Sequence, residues 1–240
     1  MEIRSNLTRS HDRVWREIAQ PGTWLTGAKR VALGAETRTA RKCALCRERK
    51  AALSAKGVAG EHETRTADLT PAEIELVHKL VTDPGRITRQ WVDDLLGAGM
   101  RDTEYVEIAG LVSAIVVVDT FHAAVGIPLR VLPEPQSGEP RYKRPRTAVV
   151  ENSYVPMVPV EGLVDDYEDL YQASPFVPNV HRAFSLVPDA TRLADDLMAS
   201  HYFPYEQVPA YTDEDHAYAI NKMQMEMVAS RVSIHNDCFY

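Results

Sequence analysis

The chain has 240 residues, 45% hydrophobic and 25% charged, with 27 Lys and Arg against 34 Asp and Glu and only three cysteines. This is enough apolar material for one large domain or two small ones, and it excludes both wholesale disorder and a disulfide-stapled scaffold. The longest apolar run, Ile108 to Val118, covers 11 residues, too short for a bilayer span. The first residues carry no apolar signal region, so a cytoplasmic protein without membrane contact is expected.

The apolar spacing is helical through most of the chain. Val14, Trp15 and Ile18 share one face of a first helix, which Pro21-Gly22 breaks. A Pro-free stretch rich in Ala, Arg, Lys and Glu predicts a second helix from about Thr26 to Leu53. Thr70-Pro71-Ala72-Glu73 combines an N-cap, a proline at the first helical position and a Glu placed to reach back. The helix it starts buries Ile74, Leu76, Val77, Leu80 and Val81 and ends at Asp83-Pro84-Gly85. Another runs from Ile87 to Leu96 and closes at Gly97. The next is capped by Asp102 and extends to Val125 before Gly126 and Pro128. Its β-branched centre, Leu111 to Val118, also suits a buried strand, but the long Pro-free context favours a helix.

Seven of the 15 prolines fall between Ile127 and Pro159, which predicts an extended connector. The expected organisation is an N-terminal helical module over 1–126, the connector over 127–159, and a C-terminal helical segment over 160–240. Within the last, Glu161–Tyr171, Val180–Leu186, Asp189–Met198 and Asp213–Ile234 read as helices, with Thr212 and Asp215 capping the fourth. No alternation of strands is visible, so the fold class is all-α.

Charge is distributed unevenly. Residues 1–150 hold 23 basic and 19 acidic residues, whereas 151–240 hold 4 basic and 15 acidic, a front of net +4 and a tail of net −11. The tail is expected to pack on the basic stretch of its own or a second chain. That stretch, 28–65, has 10 Lys and Arg against 4 Asp and Glu and no aromatic residues, which argues against nucleic-acid binding. It encloses Cys43-Ala44-Leu45-Cys46, whose spacing puts both sulfurs on one face of a helix. Arg41, Lys42, Arg47 and Arg49 nearby favour the thiolate, pointing to a redox pair. Zinc requires four ligands, and no second close Cys/His pair accompanies the first; Cys238 with His235 is the only completion considered. Eight scattered histidines form no HxxxH or HExxH pattern, so no metal ligand is assigned. Near the chain end, Glu226 and Cys238 lie 12 residues apart, slightly over three helical turns, where the carboxylate could accept a proton.

Pro175-Phe-Val-Pro-Asn179-Val-His-Arg182-Ala-Phe-Ser-Leu-Val-Pro188, followed by a helix with Glu226 and Cys238, resembles the alkylhydroperoxidase D and carboxymuconolactone decarboxylase superfamily, in its peroxidase-related branch. Thr26–Leu53 is similar to the family's cysteine helix, and residues 71–128 to the helices after it. The resemblance implies an all-helical bundle of one full module and a partial second one, assembling as a homo-oligomer without an organic cofactor. It implies a peroxidase or dithiol oxidoreductase in which Cys46 attacks and Cys43 resolves, with a small hydroperoxide as substrate and a thiol reductant as partner. Two departures stand out. Val31 and Lys50 occupy the positions of the family's Glu and His, leaving Glu36, Glu48, His78 or His122 to stand in. The second motif has Glu226 and Cys238 but stops at Tyr240, before its second Cys and its His. A non-catalytic assembly module and a decarboxylase-type enzyme acting on a small acid, with incidental thiols, are the alternative functions. Elsewhere, Trp15, Trp24 and Trp91 are expected to anchor the core, His122 to be a satisfied core residue, and Asp119 to require a basic partner.

Overall fold

The computed structural model describes residues 3–164, 167–171, 177–203, 218–236 and 238. Among them are nine α-helices: α1 (Ser5–Ala19), α2 (Gly27–Ala40), α3 (Ala44–Ala51), α4 (Pro71–Thr82), α5 (Arg89–Gly97), α6 (Asp102–Ala124), α7 (Asn179–Arg182), α8 (Pro188–His201) and α9 (Lys222–His235). The described residues contain no strand, only an isolated bridge between Val149 and Met157. The all-α expectation holds.

Local sequence accounts for several boundaries. Thr70 and Glu73 form the expected capping box on α4: the Thr70 hydroxyl accepts from the Glu73 N–H, and the Glu73 carboxylate accepts from the Thr70 N–H at 2.7 Å. Gly126 takes a left-handed conformation (φ 73°) just past α6, a geometry glycine adopts without steric cost. Other boundaries differ from expectation. Arg101, not Asp102, is the N-cap of α6, and its N–H donates to Glu104; Asp102 instead pairs with Arg144. The predicted helix over 26–53 is broken at Arg41–Cys43 into α2 and α3, with Cys43 extended (ψ 124°) and fully buried at the break. Glu161–Tyr171 forms a 3-10 turn at Val160–Gly162 and turns from 167, with 165–166 outside the described residues. The helix expected from Val180 is the single turn α7. The last helix begins at Lys222, where Asn221 and Gln224 form a capping box. The cap proposed at Thr212 and Asp215 lies outside the described residues.

α6 is the centre of the bundle, with α1, α2, α4 and α8 packed around it. Ile108, Leu111, Val112, Ile115 and Val118 form one buried stripe, and Val106, Ala109 and Ala114 are buried on other sides, so its buried surface extends well beyond one stripe. By length and composition alone it could cross a membrane, but 67% of its most apolar window is buried inside the molecule. Two acids on this helix are paired by α2. Arg30 meets Glu107 at 2.5 Å, and Arg38 holds Asp119 through two bonds of 2.8 and 2.9 Å, supplying the partner expected for that buried carboxylate. On an adjacent face of α2, Lys29 pairs with Glu73 at 2.9 Å and Glu36 meets His78 at 2.8 Å, both on α4. Early residues of α2 pair with early residues of both neighbours and late with late, so these three helices run in the same sense.

The proline-rich segment has no regular secondary structure from 127 to 145 and lies along the first helices. Gln136 and Tyr142 donate to the carbonyls of Ala19 and Thr23, each at 2.8 Å, and Val131 accepts from the Trp15 indole at 2.7 Å. The core continues beyond it: Leu186, Val187, Leu193 and Leu197 join the same cluster as Val14, Leu33 and Ile115. Gly110 permits the crossing of α6 and α8, since a Cβ there would lie 2.8 Å from that of Ala190. No described acid of the tail pairs with the cysteine helix of its own chain. Among the described residues, Asp189 takes Arg141 and Arg192, Asp196 takes Arg13 and Glu151 takes Arg182.

Two outcomes follow. Glu107→Ala strands the buried Arg30 guanidinium and should destabilise the fold by about 3–5 kcal/mol in chemical denaturation, far more than an exposed ion pair would. His11 lies 2.9 Å from His201, and its ring is 5.5 Å from that of His122. Burial, then repulsion by His201, His122 and Arg130, hold its pKa down at about 4 against 6.5, with Asp12 opposing. The unfolded chain therefore takes up the proton first as pH falls from about 6.5 towards 4, and stability declines across that window. Melting temperatures measured through it should show the decline, and His11→Gln should flatten it; an unchanged slope in the variant contradicts the assignment.

Candidate thiol–imidazole site

Cys43 is the N-cap of α3, and Cys46 sits in its first turn. The sulfurs therefore converge across a helix start rather than along one face of a longer helix. Both residues are buried, and together with Leu45 and Val58 they form a small cluster apart from the main core. The C-terminus of α3 is tied down by Arg86, which donates to the carbonyls of Arg49 (2.6 Å) and Ala52 (2.9 Å) while bonded to Asp83. A cation on those otherwise unpaired carbonyls is favourable, and it fixes α3 against the end of α4.

Two imidazoles approach the sulfurs. His78, fully buried on α4, places Nδ1 3.1 Å from Cys46 Sγ. Its Nε2 lies 2.8 Å from Glu36 Oε1, and the other oxygen of Glu36 accepts from the hydroxyls of Thr64 (2.8 Å) and Thr66 (3.1 Å). A carboxylate can only accept, so the His78 proton sits on Nε2 and the Nδ1 lone pair faces the thiol. Burial, the largest influence, holds the His78 pKa below 6.5 against the pull of Glu36, which keeps the ring neutral and able to accept a proton.

His62 comes from the irregular segment between α3 and α4. Its Nδ1 lies 3.6 Å from Cys43 Sγ and 3.5 Å from Cys46 Sγ, and its Nε2 lies 2.8 Å from Glu75 Oε2. Burial disfavours its cation, but hydrogen bonds to Cys46, Glu75 and Cys43 outweigh this and raise its pKa to about 10. The His62 hydrogen bond leads in lowering Glu75 to about 2, although burial opposes it. Trp91 and Arg49 also donate to Glu75. Burial raises the Cys43 pKa, but His62 and the N–H groups of Cys46 and Glu63 bring it below 9.0 overall. Cys46 reaches an open cleft of about 470 Å³, lined also by Arg49, His62, Glu75, Lys79 and Trp91. Cys43 does not line it.

Of the sequence candidates, Cys43 and Cys46 come together with Glu36 and His78. Glu48 is exposed, and His122 bonds to the Pro128 carbonyl at 2.8 Å as a core residue. Glu226 and Cys238 do not form a second motif. Glu226 pairs with Lys222, whereas α9 ends at His235, so Cys238 lies exposed beyond it and the three-turn spacing does not apply. His62 and Glu75 were not singled out from sequence; the scattered histidines include two that folding gathers. The available signal was Cys-x2-Cys-x15-His-x15-His, too widely spaced for a compact ligand motif. Comparison with protein-family models, curated proteins and solved structures gave no match to this chain.

Proposed function

We propose that the chain is a dithiol oxidoreductase that reduces a small hydroperoxide at Cys46. The observation that carries this reading is the buried series Cys46–His78–Glu36, with Cys46 alone of the two cysteines on the cleft. His78 Nδ1 takes the Cys46 proton, and Glu36 balances the imidazolium that results. The thiolate attacks the terminal peroxide oxygen; an S–O bond forms, the O–O bond breaks, and the departing alkoxide takes the proton from His78 to leave as an alcohol. Cys46 is now a sulfenic acid. Cys43, whose thiolate is favoured by His62 and the N–H groups around it, attacks that sulfur, and the hydroxyl takes the Cys43 proton, relayed by His62, to leave as water. An external dithiol supplies two electrons and two protons to reopen the disulfide. His62 and Glu75 position the resolving sulfur.

Pre-reduced protein kept metal-free with a chelator should consume about one equivalent of an alkyl hydroperoxide without added reductant. Cys46→Ser should abolish this, and His78→Gln should slow it by about 10²-fold or more. Cys43→Ser should still consume the peroxide but stop at a Cys46 sulfenic acid trapped by a dione reagent. If folded wild-type protein consumes no more peroxide than Cys46→Ser, the reading is wrong.

A further inference from the structure

The side chains around the two thiols form more than a proton relay, because a relay to Cys46 needs only His78. His62 is brought inward from an irregular segment and stands within reach of both sulfurs at once. Its side chain is only 11% exposed. One ligand atom from each of Cys43, Cys46, His62 and His78 lies within 4.8 Å of the other three, and Nδ1 is the nitrogen that meets sulfur in both rings. We propose that the reduced centre is a binding site for one Zn²⁺ ion, held by these four side chains.

Three arguments support this. The first is size. Zinc–sulfur bonds of about 2.3 Å and zinc–nitrogen bonds of about 2.0–2.1 Å in a tetrahedron set a sulfur-to-nitrogen edge of about 3.6 Å. Three of the four corresponding edges here are 3.6, 3.5 and 3.1 Å, and the fourth, Cys43 to His78, lies within 4.8 Å. The second is the shell behind the ligands. Each imidazole turns Nδ1 to the sulfurs and Nε2 to a carboxylate at 2.8 Å, Glu75 behind His62 and Glu36 behind His78. A carboxylate on the distal nitrogen fixes the tautomer that presents a lone pair to a metal and makes the ring a better donor. The third is charge and softness. Two thiolates neutralise a divalent ion inside a buried cluster, and a paired-sulfur, paired-imidazole set suits zinc over the oxygen-seeking Mg²⁺ and Ca²⁺.

The consequence for the chain is that metal and disulfide exclude each other, since closing the S–S bond removes both thiolate ligands; only this clause rests on the redox reading. The zinc-loaded protein is then a protected form, and the metal-free reduced protein the reactive one.

Cobalt(II) serves as the spectroscopic probe, added without oxygen to the full-length, reduced, chelator-treated protein. The expected result is a saturable 1:1 near-ultraviolet thiolate-to-cobalt band with the strong visible bands of a tetrahedral ion, both erased by Zn²⁺. His62→Asn and His78→Asn should each weaken binding about 10-fold or more, and Glu75→Gln, which leaves all four ligands in place, about 10–100-fold. Cys238→Ser, at an exposed thiol beyond α9, should leave the titration unchanged. No thiolate-to-cobalt band on folded wild-type protein overturns the proposal, as does a band that survives both histidine variants. Because no peroxide is present here and no metal is present in the peroxide assay, failure of one reading is distinguishable from failure of the other.

Discussion

The structure depends on how α2 neutralises charge that its neighbours bury. α6 buries residues well beyond one stripe, so it must be surrounded, yet it carries Glu107 and Asp119 into that environment. A bare carboxylate there would cost more than its packing returns, and Arg30 and Arg38 answer both. One and two residues away in sequence, about 100–200° round the same helix, Lys29 and Glu36 meet Glu73 and His78 on α4. Four pairs on two adjacent faces fix α2 against two helices at once. Sliding α2 along either neighbour would break at least two of them.

That arrangement is what places the site. Glu36 is set by the register of α2 and His78 by that of α4, so the contact between them is fixed before the cysteines are considered. The break after Ala40 then turns the chain so that α3 begins beside His78, and Arg86 with Asp83 anchors the far end of α3 against the end of α4. Between the two anchors, Cys43 and Cys46 are presented to imidazoles whose distal nitrogens are already held by carboxylates. The site is therefore preorganised through its supporting acids, not through contacts among the reactive groups themselves. The same supporting acids suit both proton transfer to a neutral ring and metal ligation by one, so a single cluster accommodates the proposed redox cycle and the proposed zinc site.

Helix existence was legible wherever a local signal and the apolar period agreed: the capping box at Thr70, the glycine after α6, the periodic stripes of α4 and α5. It failed where a tertiary demand overrode propensity. No proline between Thr26 and Leu53 breaks a helix, yet the chain turns at Arg41–Cys43, where Cys43 is extended and buried. In Glu161–Tyr171 the described residues bury Tyr167, Leu170 and Tyr171 in turns rather than in a helix, so apolar spacing there marked burial without marking a helix. The acid and thiol of the last helix looked like half a motif because a three-turn spacing was assumed; the helix stops at His235, short of the thiol.

By itself the sequence determined the helical class, the paired cysteines and their basic surroundings, and the need of Asp119 for a cation, because these are local properties or follow from burial alone. It also narrowed the proton acceptor to a short set that included Glu36 and His78. Only the tertiary structure selected those two, added His62 and Glu75, and removed Glu226 and Cys238. The physical reason is distance along the chain. His62 and His78 stand 16 and 32 residues beyond Cys46, and no helical or turn period relates them. Their convergence exists only once the ion pairs of α2 have set the register of three helices.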